Sequence, residues 1–246
     1  MKIVVCIKQV PDTTEVKLDP KTNTLIRDGV PSIINPDDKA GIEAALEIKE
    51  RLNDGSTVTI VSMGPPQADV ALREALAMGA DEAYLLSDRA FGGSDTFATS
   101  TIIAAGLKKI GYDLVITGRQ AIDGDTAQVG PQIAEHLGIP QVSYAEEIIS
   151  IDDKQVVVKR QFEDRYHILE LPVPCLITAL SELAEPRYMS VHGIYDAYRE
   201  KEVKVLGFED LKDMFDPANI GLKGSPTNVY KSFTKQAKGA GTKYDD

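Results

Sequence analysis

Strand and helix signals alternate through the first 140 residues, and this alternation leaves the chain few possible folds. Four β-branched, apolar runs predict buried strands over 2–8, 57–63, 82–86 and 113–117. Between and after them, apolar residues recur at helical spacing and predict helices over 36–52, 67–78, 96–110 and 126–137. Because parallel strands need crossover connections, the alternation predicts an α/β fold: a mostly parallel sheet with helices on both faces.

The pattern changes after residue 140. Four β-branched runs then follow one another with only polar turns between them, over 146–153, 155–163, 166–173 and 175–180. We expect all four to be antiparallel strands that extend the sheet. A short hairpin is also predicted within 11–34, around Val16–Leu18 and Leu25–Ile26.

The C-terminal part differs in composition from the rest. It becomes rich in glycine and lysine and has too few apolar residues for a core of its own. Val229, Tyr230 and Phe233 nevertheless give it apolar surface to bury, which favours an arm that lies on a partner. We therefore divide the chain into an α/β domain with its antiparallel extension (1–185) and a partner-binding segment with a C-terminal arm (186–246).

Charge and hydropathy exclude several classes of protein. The net charge of −11 argues against nucleic-acid binding, which needs a basic face. No apolar run reaches the roughly 18–20 residues that span a bilayer, so no membrane insertion is expected. The N-terminus is predicted to be a strand rather than a signal peptide. Cys6 and Cys175 lie in apolar runs, which predicts free, buried thiols and a cytoplasmic protein.

The sequence contains no recognisable set of catalytic or metal-binding residues. The three histidines are far apart, the two cysteines form no C-x-x-C pair, and neither G-x-G-x-x-G nor a phosphate-binding P-loop follows the first strand. We therefore expect no catalytic residue and no metal. A ligand crevice without an acid, base or nucleophile is typical of a cofactor carrier.

The carboxyl ends of the predicted strands are the expected place for a ligand. They carry Cys6–Lys8, Ser62–Pro65 and Thr117–Gln120, and the helix capped by Asn35 begins nearby. If the first and fourth strands are neighbours, these segments line one crevice. Ordinary strand-to-helix turns with capping aspartates are the alternative, which position alone leaves open.

The stretch GRQAIDGDTAQVG (118–130) joins the fourth strand to the fourth helix. A helix N-terminus offers free N–H groups to a phosphate, yet Asp123 and Asp125 are anionic. They either cap the helix or bind another part of a ligand. Gly124 is expected to allow a close backbone approach and to favour a positive φ. The stretch FGGSDTFATS (91–100) is predicted to be a helix start with a secondary role at the ligand.

Several segments together resemble the beta, or small, subunit of electron transfer flavoproteins. They are VVCIKQVPD (4–12), INPDDKAGIEAAL (34–46), SMGPPQ (62–67), ALAMGADEAYLL (75–86), GRQAIDGDTAQVGPQIA (118–134), VKRQFED (158–164), LPVPCLITAL (171–180) and EPRY (185–188). The resemblance covers nearly the whole chain except about the last thirty residues. It implies a Rossmann-like, adenine-nucleotide-binding fold and a heterodimer with an alpha subunit that carries an FAD.

The resemblance also implies which residues bind the nucleotide in this subunit. They are Cys6, Asn35, Pro36, Asp37, Asp38, Met63, Gly118, Arg119, Gln120, Ala121, Ile122, Asp123, Gly124, Asp125, Thr126, Ala127, Gln128 and Val129. The phosphate would rest on N–H groups around Thr126–Val129. The carboxylates would cap neighbouring N–H groups or hold ribose hydroxyls.

Two kinds of family member have to be separated. Ordinary members hold AMP in this site. Electron-bifurcating members hold a second FAD, which accepts hydride from NADH and sends one electron to ferredoxin or flavodoxin and one towards an acyl-CoA dehydrogenase. The small residues Gly124, Thr126 and Ala127 and the GGSDT helix start resemble the bifurcating group, so FAD is favoured and AMP is the alternative.

The dehydrogenase partner is less defined. After EPRY, Val191 stands where mitochondrial-type members place an anchoring leucine, and few lysines follow. Two other classes of function remain to be tested against the structure: a stand-alone nucleotide-binding stress-type module without redox chemistry, and an ATP-pyrophosphate-cleaving enzyme built on residues 91–100.

Overall fold

Nine strands form one sheet in this computed structural model, which describes residues 1–12 and 31–227. The strands are β1 Lys2–Ile7, β2 Gln9–Pro11, β3 Ser32–Ile34, β4 Thr57–Met63, β5 Glu82–Leu86, β6 Leu114–Gly118, β7 Gln141–Ile151, β8 Gln155–Gln161, β9 Tyr166–Pro172, β10 Cys175–Ala179 and β11 Val203–Leu206. The sheet order is β11-β5-β4-β1-β6-β10-β7-β8-β9, and β2 and β3 form a separate antiparallel ribbon.

Helices cover both faces of the sheet. They are α1 Pro36–Leu52, α2 Asp69–Met78, α3 Thr96–Ile110, α4 Val129–Leu137, α5 Val191–Arg199, α6 Phe208–Leu211 and α7 Gly221–Gly224. In β1, Ile3 and Val5 pack in the core with α1, α2 and α5, whereas Val4 and Cys6 pack in the core with α3, α4 and α6. Because a central parallel strand is buried on both faces, its sequence is an unbroken apolar run. The predicted α/β class is confirmed.

The centre of the sheet is the point where the strand order reverses. β1 pairs in parallel with β4 on one side and with β6 on the other. The first and fourth predicted strands are therefore neighbours, which is the condition for their ends to line one crevice. The carboxyl ends of β1, β4 and β6 lie together at this edge, as a ligand site in an open α/β sheet requires.

The last of the four predicted antiparallel strands is in fact parallel. β7, β8 and β9 pair antiparallel as expected, but β10 is inserted between β6 and β7 and runs parallel to both. Every residue of β10 is buried, since both faces of the sheet are covered there. An apolar run without polar alternation is typical of such a position. The antiparallel assignment of 175–180 is therefore wrong, because this segment is a central parallel strand.

Two further differences are the start of the fourth helix and the presence of an additional strand. The fourth predicted helix begins at Val129 rather than at residue 126, because the backbone at Asp125 and Ala127 has a left-handed φ. The short strand β11 was not predicted and pairs with β5 at the sheet edge opposite β9.

The predicted hairpin around Val16–Ile26 and the arm residues from Val229 onward lie outside the described residues. The domain division at 185–186 stays a prediction.

Candidate functional site

A cavity of about 890 Å³ lies at the carboxyl ends of β1, β4 and β6. Cys6, Met63 and Thr117 come from these strand ends. Two loops contribute most of the remaining lining: the 118–128 loop, which leads into α4, and the 87–96 loop, which leads into α3. This volume is at the upper end of the range for small-molecule sites.

Most of the predicted site residues line this cavity. Those that do are Cys6, Asp38, Met63, Gly118, Arg119, Gln120, Ala121, Gly124, Asp125, Thr126, Ala127, Gln128 and Val129. Those that do not are Asn35, Pro36, Asp37, Ile122 and Asp123. Residues 91–100 were predicted to have only a secondary role at the ligand, whereas most residues of the 87–96 loop line the cavity. Its adjacent Gly92 and Gly93 were the only signal.

Asp38 joins three elements beneath the cavity. It is only 6% exposed, and its carboxylate accepts hydrogen bonds from the backbone N–H groups of Lys8 (2.7 Å) and Gly118 (2.9 Å) and from Nδ2 of Asn35 (3.1 Å). These contacts tie the ends of β1 and β6 to the first turn of α1. Asp38 therefore organises the site through the protein's own backbone.

Position 118 requires glycine, because the side chain of Asp38 occupies the space that a Cβ atom would fill. A Cβ atom at this position would lie 2.1 Å from Asp38 Oδ1 and 3.0 Å from the Cβ atom of Asp37. The close approach that the glycine permits is thus to the side chain of Asp38.

Asn35 supports the 118–128 loop. It occupies the N-cap position of α1, but its side chain makes no capping hydrogen bond, contrary to the prediction. Its Nδ2 donates to the carbonyl oxygen of Gln120 (2.8 Å), and its Oδ1 accepts from the N–H of Ile122 (3.1 Å). Asn35 thereby fixes the first half of the loop without lining the cavity.

The two aspartates of the loop do not cap α4. Asp123 forms an ion pair with Lys8, at 2.7 and 2.9 Å from Nζ to the two carboxylate oxygens. Asp125 accepts a hydrogen bond from Nε2 of Gln120 (2.9 Å). The N-cap of α4 is Gln128, whose side chain makes no capping hydrogen bond. The capping alternative is therefore wrong, and Asp123 secures the loop to the end of β1.

The backbone of the 118–128 loop presents N–H groups at the cavity. Asp125 and Ala127 have φ values of +49° and +52°, and Gln128 is right-handed. A left-handed residue followed by a right-handed one turns successive N–H groups to the same side, a geometry that binds anions. The N–H groups of Thr126, Ala127 and Gln128 donate to no acceptor within the described residues. Gly124, by contrast, does not have the positive φ that was expected.

Arg119 is the cation of this loop that faces the cavity. Its Nε lies 3.4 Å from Oδ2 of Asp37, and neither of these buried atoms makes a hydrogen bond within the described residues. Burial raises the pKa of Asp37, and the charge of Arg119 opposes this shift. A guanidinium N–H without a hydrogen bond, on the lining of the same cavity as the free backbone N–H groups, is suited to binding a phosphate.

Within the described part of the chain, the cavity has neither an activated thiol nor a metal centre. Burial, reinforced by the negative charge of Asp38, raises the pKa of the Cys6 thiol, so Cys6 lines the cavity as a neutral thiol. His136 packs edge-on against Phe97 and hydrogen-bonds with Thr101 at 3.2 Å. Within residues 1–12 and 31–227, no group of three metal-ligating side chains is found. The described residues of the site are suited to binding and orienting a ligand.

The buried Asp38 predicts a pH-dependent stability. Burial raises its pKa to about 7, although its three hydrogen bonds oppose the shift. The folded protein therefore holds a proton here that the unfolded chain, with a pKa of about 3.9, releases. We expect the ligand-free protein to lose stability as the pH rises from about 4 to about 7, by at most about 1.4 kcal/mol per pH unit from this group.

Urea unfolding at several pH values checks this expectation, with Asp38→Asn as the matched control. The asparagine variant should lack this part of the pH dependence. Parallel curves for the two proteins would contradict the assignment.

None of the helices in the described part of the chain has the length and apolar character that crossing a bilayer requires.

Comparison with known proteins gives a consistent result. The electron transfer flavoprotein domain family matches residues 22–211. The chain is 60% identical to the electron transfer flavoprotein subunit beta of Clostridium acetobutylicum, covering 100% of this chain and 92% of that protein. It is 59% identical to the caffeyl-CoA reductase-Etf complex subunit CarD of Acetobacterium woodii (98% and 90% covered). Identity to the acryloyl-CoA reductase electron transfer subunit gamma of Anaerotignum propionicum is 53% (98% and 91% covered).

Proposed function

We propose that this chain, which belongs to the electron transfer flavoprotein family as a beta subunit, binds FAD in the cavity at the strand ends and works in a heterodimer with an alpha subunit. The identification made from the sequence motifs is confirmed by the family match and by the full-length similarity to beta subunits. Family membership also removes the two alternatives, a stand-alone stress-type module and an ATP-pyrophosphate-cleaving enzyme.

The observation that supports FAD over AMP is that the 87–96 loop lines the cavity in addition to the 118–128 loop. The donors of the 118–128 loop are enough for a single nucleotide. The 87–96 loop adds a further side, and Thr96 Oγ1 donates to Gln128 Oε1 (3.0 Å) where the two loops meet. A cavity of about 890 Å³ with two such sides suits a dinucleotide. AMP in the same site is the alternative.

The protein's own groups would bind and orient the cofactor. The N–H groups of Thr126–Gln128, with Arg119 beside them, would hold the diphosphate. The ion pair between Lys8 and Asp123 and the hydrogen bonds of Asn35 keep this loop in place. When bound, FAD supplies hydride and single-electron chemistry that the side chains lack.

We further propose flavin-based electron bifurcation as the activity. NADH would be the hydride donor, ferredoxin or flavodoxin the low-potential acceptor, and an acyl-CoA dehydrogenase the second acceptor. Support comes from the relatives named as parts of caffeyl-CoA and acryloyl-CoA reductase systems. The free, buried Cys6 and Cys175 support a cytoplasmic location.

Counting the bound cofactors tests this proposal. The chain is purified with its alpha subunit, denatured, and the released nucleotides are quantified by chromatography. Two FAD per heterodimer support the bifurcating function. One FAD and one AMP would instead show the ordinary carrier, and the absence of flavin would overturn both forms of the proposal.

The dehydrogenase would dock on an exposed apolar surface around α5, which we call the α5 surface. Its large exposed side chains are Tyr188, Met189, Val191, Ile194, Tyr195 and Tyr198, with Tyr188 97% and Val191 87% exposed. Arg187, bonded through its guanidinium to Glu43 and Glu50 of α1, holds the segment before α5. Apolar patches of this kind on a fixed support mark protein interaction sites.

Replacing Val191 with aspartate should weaken dehydrogenase docking. A carboxylate buried in an apolar interface without a partner costs several kcal/mol, so we expect the KM for the dehydrogenase to rise at least about tenfold. Both bound flavins should be retained. Steady-state electron transfer to the acyl-CoA dehydrogenase at varied dehydrogenase concentration measures the effect.

Val205→Asp is the matched control. Val205 is 59% exposed but lies on β11, away from α5. It should leave the KM unchanged. An equal effect of the two substitutions would argue against the α5 surface as the docking site.

A further inference from the structure

Residues 208–227, which we call the strap, lie against the outside of the 87–96 loop. At one end of the strap, the N–H of Phe208 donates to Oδ2 of Asp88 (2.9 Å). Further along, the N–H of Leu222 donates to the carbonyl oxygen of Gly92 (3.1 Å). The 87–96 loop is therefore enclosed between the cavity and the strap.

Asp95 and Ser225 make most of the hydrogen bonds between the end of the strap and the start of α3. The hydroxyl of Ser225 accepts from the N–H of Asp95 (2.8 Å) and donates to the carbonyl oxygen of Gly221 (2.8 Å). Oδ2 of Asp95 accepts from the N–H of Thr227 (2.9 Å), while its Oδ1 caps α3 through the N–H of Ala98 (3.0 Å). One carboxylate thus connects the strap to the start of α3 at the cavity edge.

Close packing supports these hydrogen bonds. Gly93 has a φ of +75°, and a Cβ atom there would lie 3.0 Å from that of Leu222. Gly221 has a φ of +62°, with the carbonyl oxygen of Ala90 2.3 Å from where its Cβ would be. The ring of Phe215 packs edge-on against Phe91, whose side chain lines the cavity. The strap and the loop fit each other closely at both glycines, so the strap supports the position of the loop.

We infer that the strap determines specificity: by fixing the 87–96 loop, it allows the cavity to hold a dinucleotide rather than only a mononucleotide. This inference rests on the proposed function, because it assumes that the beta subunit takes FAD. The strap contacts the 87–96 loop, whereas the 118–128 loop is supported by Asn35, Lys8 and Asp38.

The hydrogen bonds that support the two loops are therefore different. The loops themselves are joined by the exposed hydrogen bond between Thr96 and Gln128, and α3 and α4, which follow them, pack together through Ser100 with Gln132 and Phe97 with His136. Loosening the strap would displace the 87–96 loop and leave the 118–128 loop intact. A mononucleotide held by the 118–128 loop would then bind as before, whereas a dinucleotide would lose its second set of contacts.

Ser225→Ala tests the inference with little risk to folding, because it removes only a hydroxyl. We expect the affinity of the beta-subunit site for FAD to fall about tenfold, the effect of losing one hydrogen bond to a backbone N–H that is then unsatisfied. The affinity for AMP should stay within about twofold. Both are measured by equilibrium dialysis of the heterodimer stripped of its beta-subunit nucleotide, counting FAD beyond the one held by the alpha subunit.

Two control variants accompany the test. Ser225→Thr keeps the hydroxyl and should restore FAD binding. Lys212→Ala lies in the same segment, but within the described residues the Lys212 side chain bonds to Glu209 only, so it should change neither affinity.

The outcomes distinguish a failure of the role proposed for the strap from a failure of the proposed function. An unchanged FAD affinity in Ser225→Ala, or an equal loss of FAD and AMP, would overturn the role of the strap while leaving the proposed function intact. A wild-type heterodimer that takes up AMP but no second FAD would refute the proposed function instead.

Discussion

Gly118→Ala is expected to disrupt the fold around the cavity. The added methyl group would lie 2.1 Å from Asp38 Oδ1 and 3.0 Å from Asp37 Cβ, in a buried position. The carboxylate of Asp38 would have to move, and the N–H groups of Lys8 and Gly118 would lose their acceptor. Overpacking and two unsatisfied buried donors together should lower the free energy of unfolding by about 3 kcal/mol or more.

Urea unfolding measures this loss, and Gly124→Ala provides a matched control. Gly124 lies on the same loop, has no atom within 4 Å of the position of an added Cβ and does not have a positive φ. Its replacement by alanine should change the stability by less than about 0.5 kcal/mol. If the two alanine variants unfolded at the same urea concentration, the packing of Gly118 against Asp38 would not have the importance that we assign to it.

The strands and the crevice show how much of the fold the local sequence could predict. The apolar runs of β1, β4 and β6 indicated a parallel sheet, and the polar and small residues after them indicated a crevice. Whether a given apolar run pairs at the centre or at the edge depends on partners far away in the chain. For that reason 175–180 was assigned to the wrong orientation, although its lack of polar alternation was visible in the sequence.

The chemistry of a side chain was easier to predict than its partner. The resemblance implied that Asn35 and Asp123 bind the nucleotide. In the structure their side chains hold the 118–128 loop, through Ile122 and Lys8 respectively. Lys8 and Asp123 are 115 residues apart, so no local pattern could have paired them.

The 87–96 loop was underestimated for a similar reason. Its position depends on the strap, which reaches Asp95 from Ser225, 130 residues away in sequence. The GGSDT motif indicated a helix start, and Asp95 does cap α3. The motif alone could not show that this start forms one side of the cavity. Contacts between distant segments therefore account for most of what the sequence left undecided at this site.

Gly124→Asp should remove the nucleotide from the beta-subunit site. Because open space surrounds this position, the side chain itself can be accommodated and its charge becomes the main change. Gly124 lines the cavity beside the free N–H groups of Thr126–Gln128, where the diphosphate would lie. Like charges a few Å apart in a partly desolvated crevice repel by about 1–4 kcal/mol, and about 1.4 kcal/mol is enough for a tenfold loss of affinity.

Flavin stoichiometry and NADH oxidation of the reconstituted heterodimer measure the result. If the proposed function holds, the variant should lose the beta-subunit flavin and NADH-dependent ferredoxin reduction, while the alpha-subunit FAD stays bound. Gly124→Asn, of nearly the same size but neutral, should keep both flavins, because the donors that hold the diphosphate are backbone N–H groups and none of them is altered. If Gly124→Asp also kept two flavins and normal NADH oxidation, the 118–128 loop would not be the phosphate-binding side of the cavity.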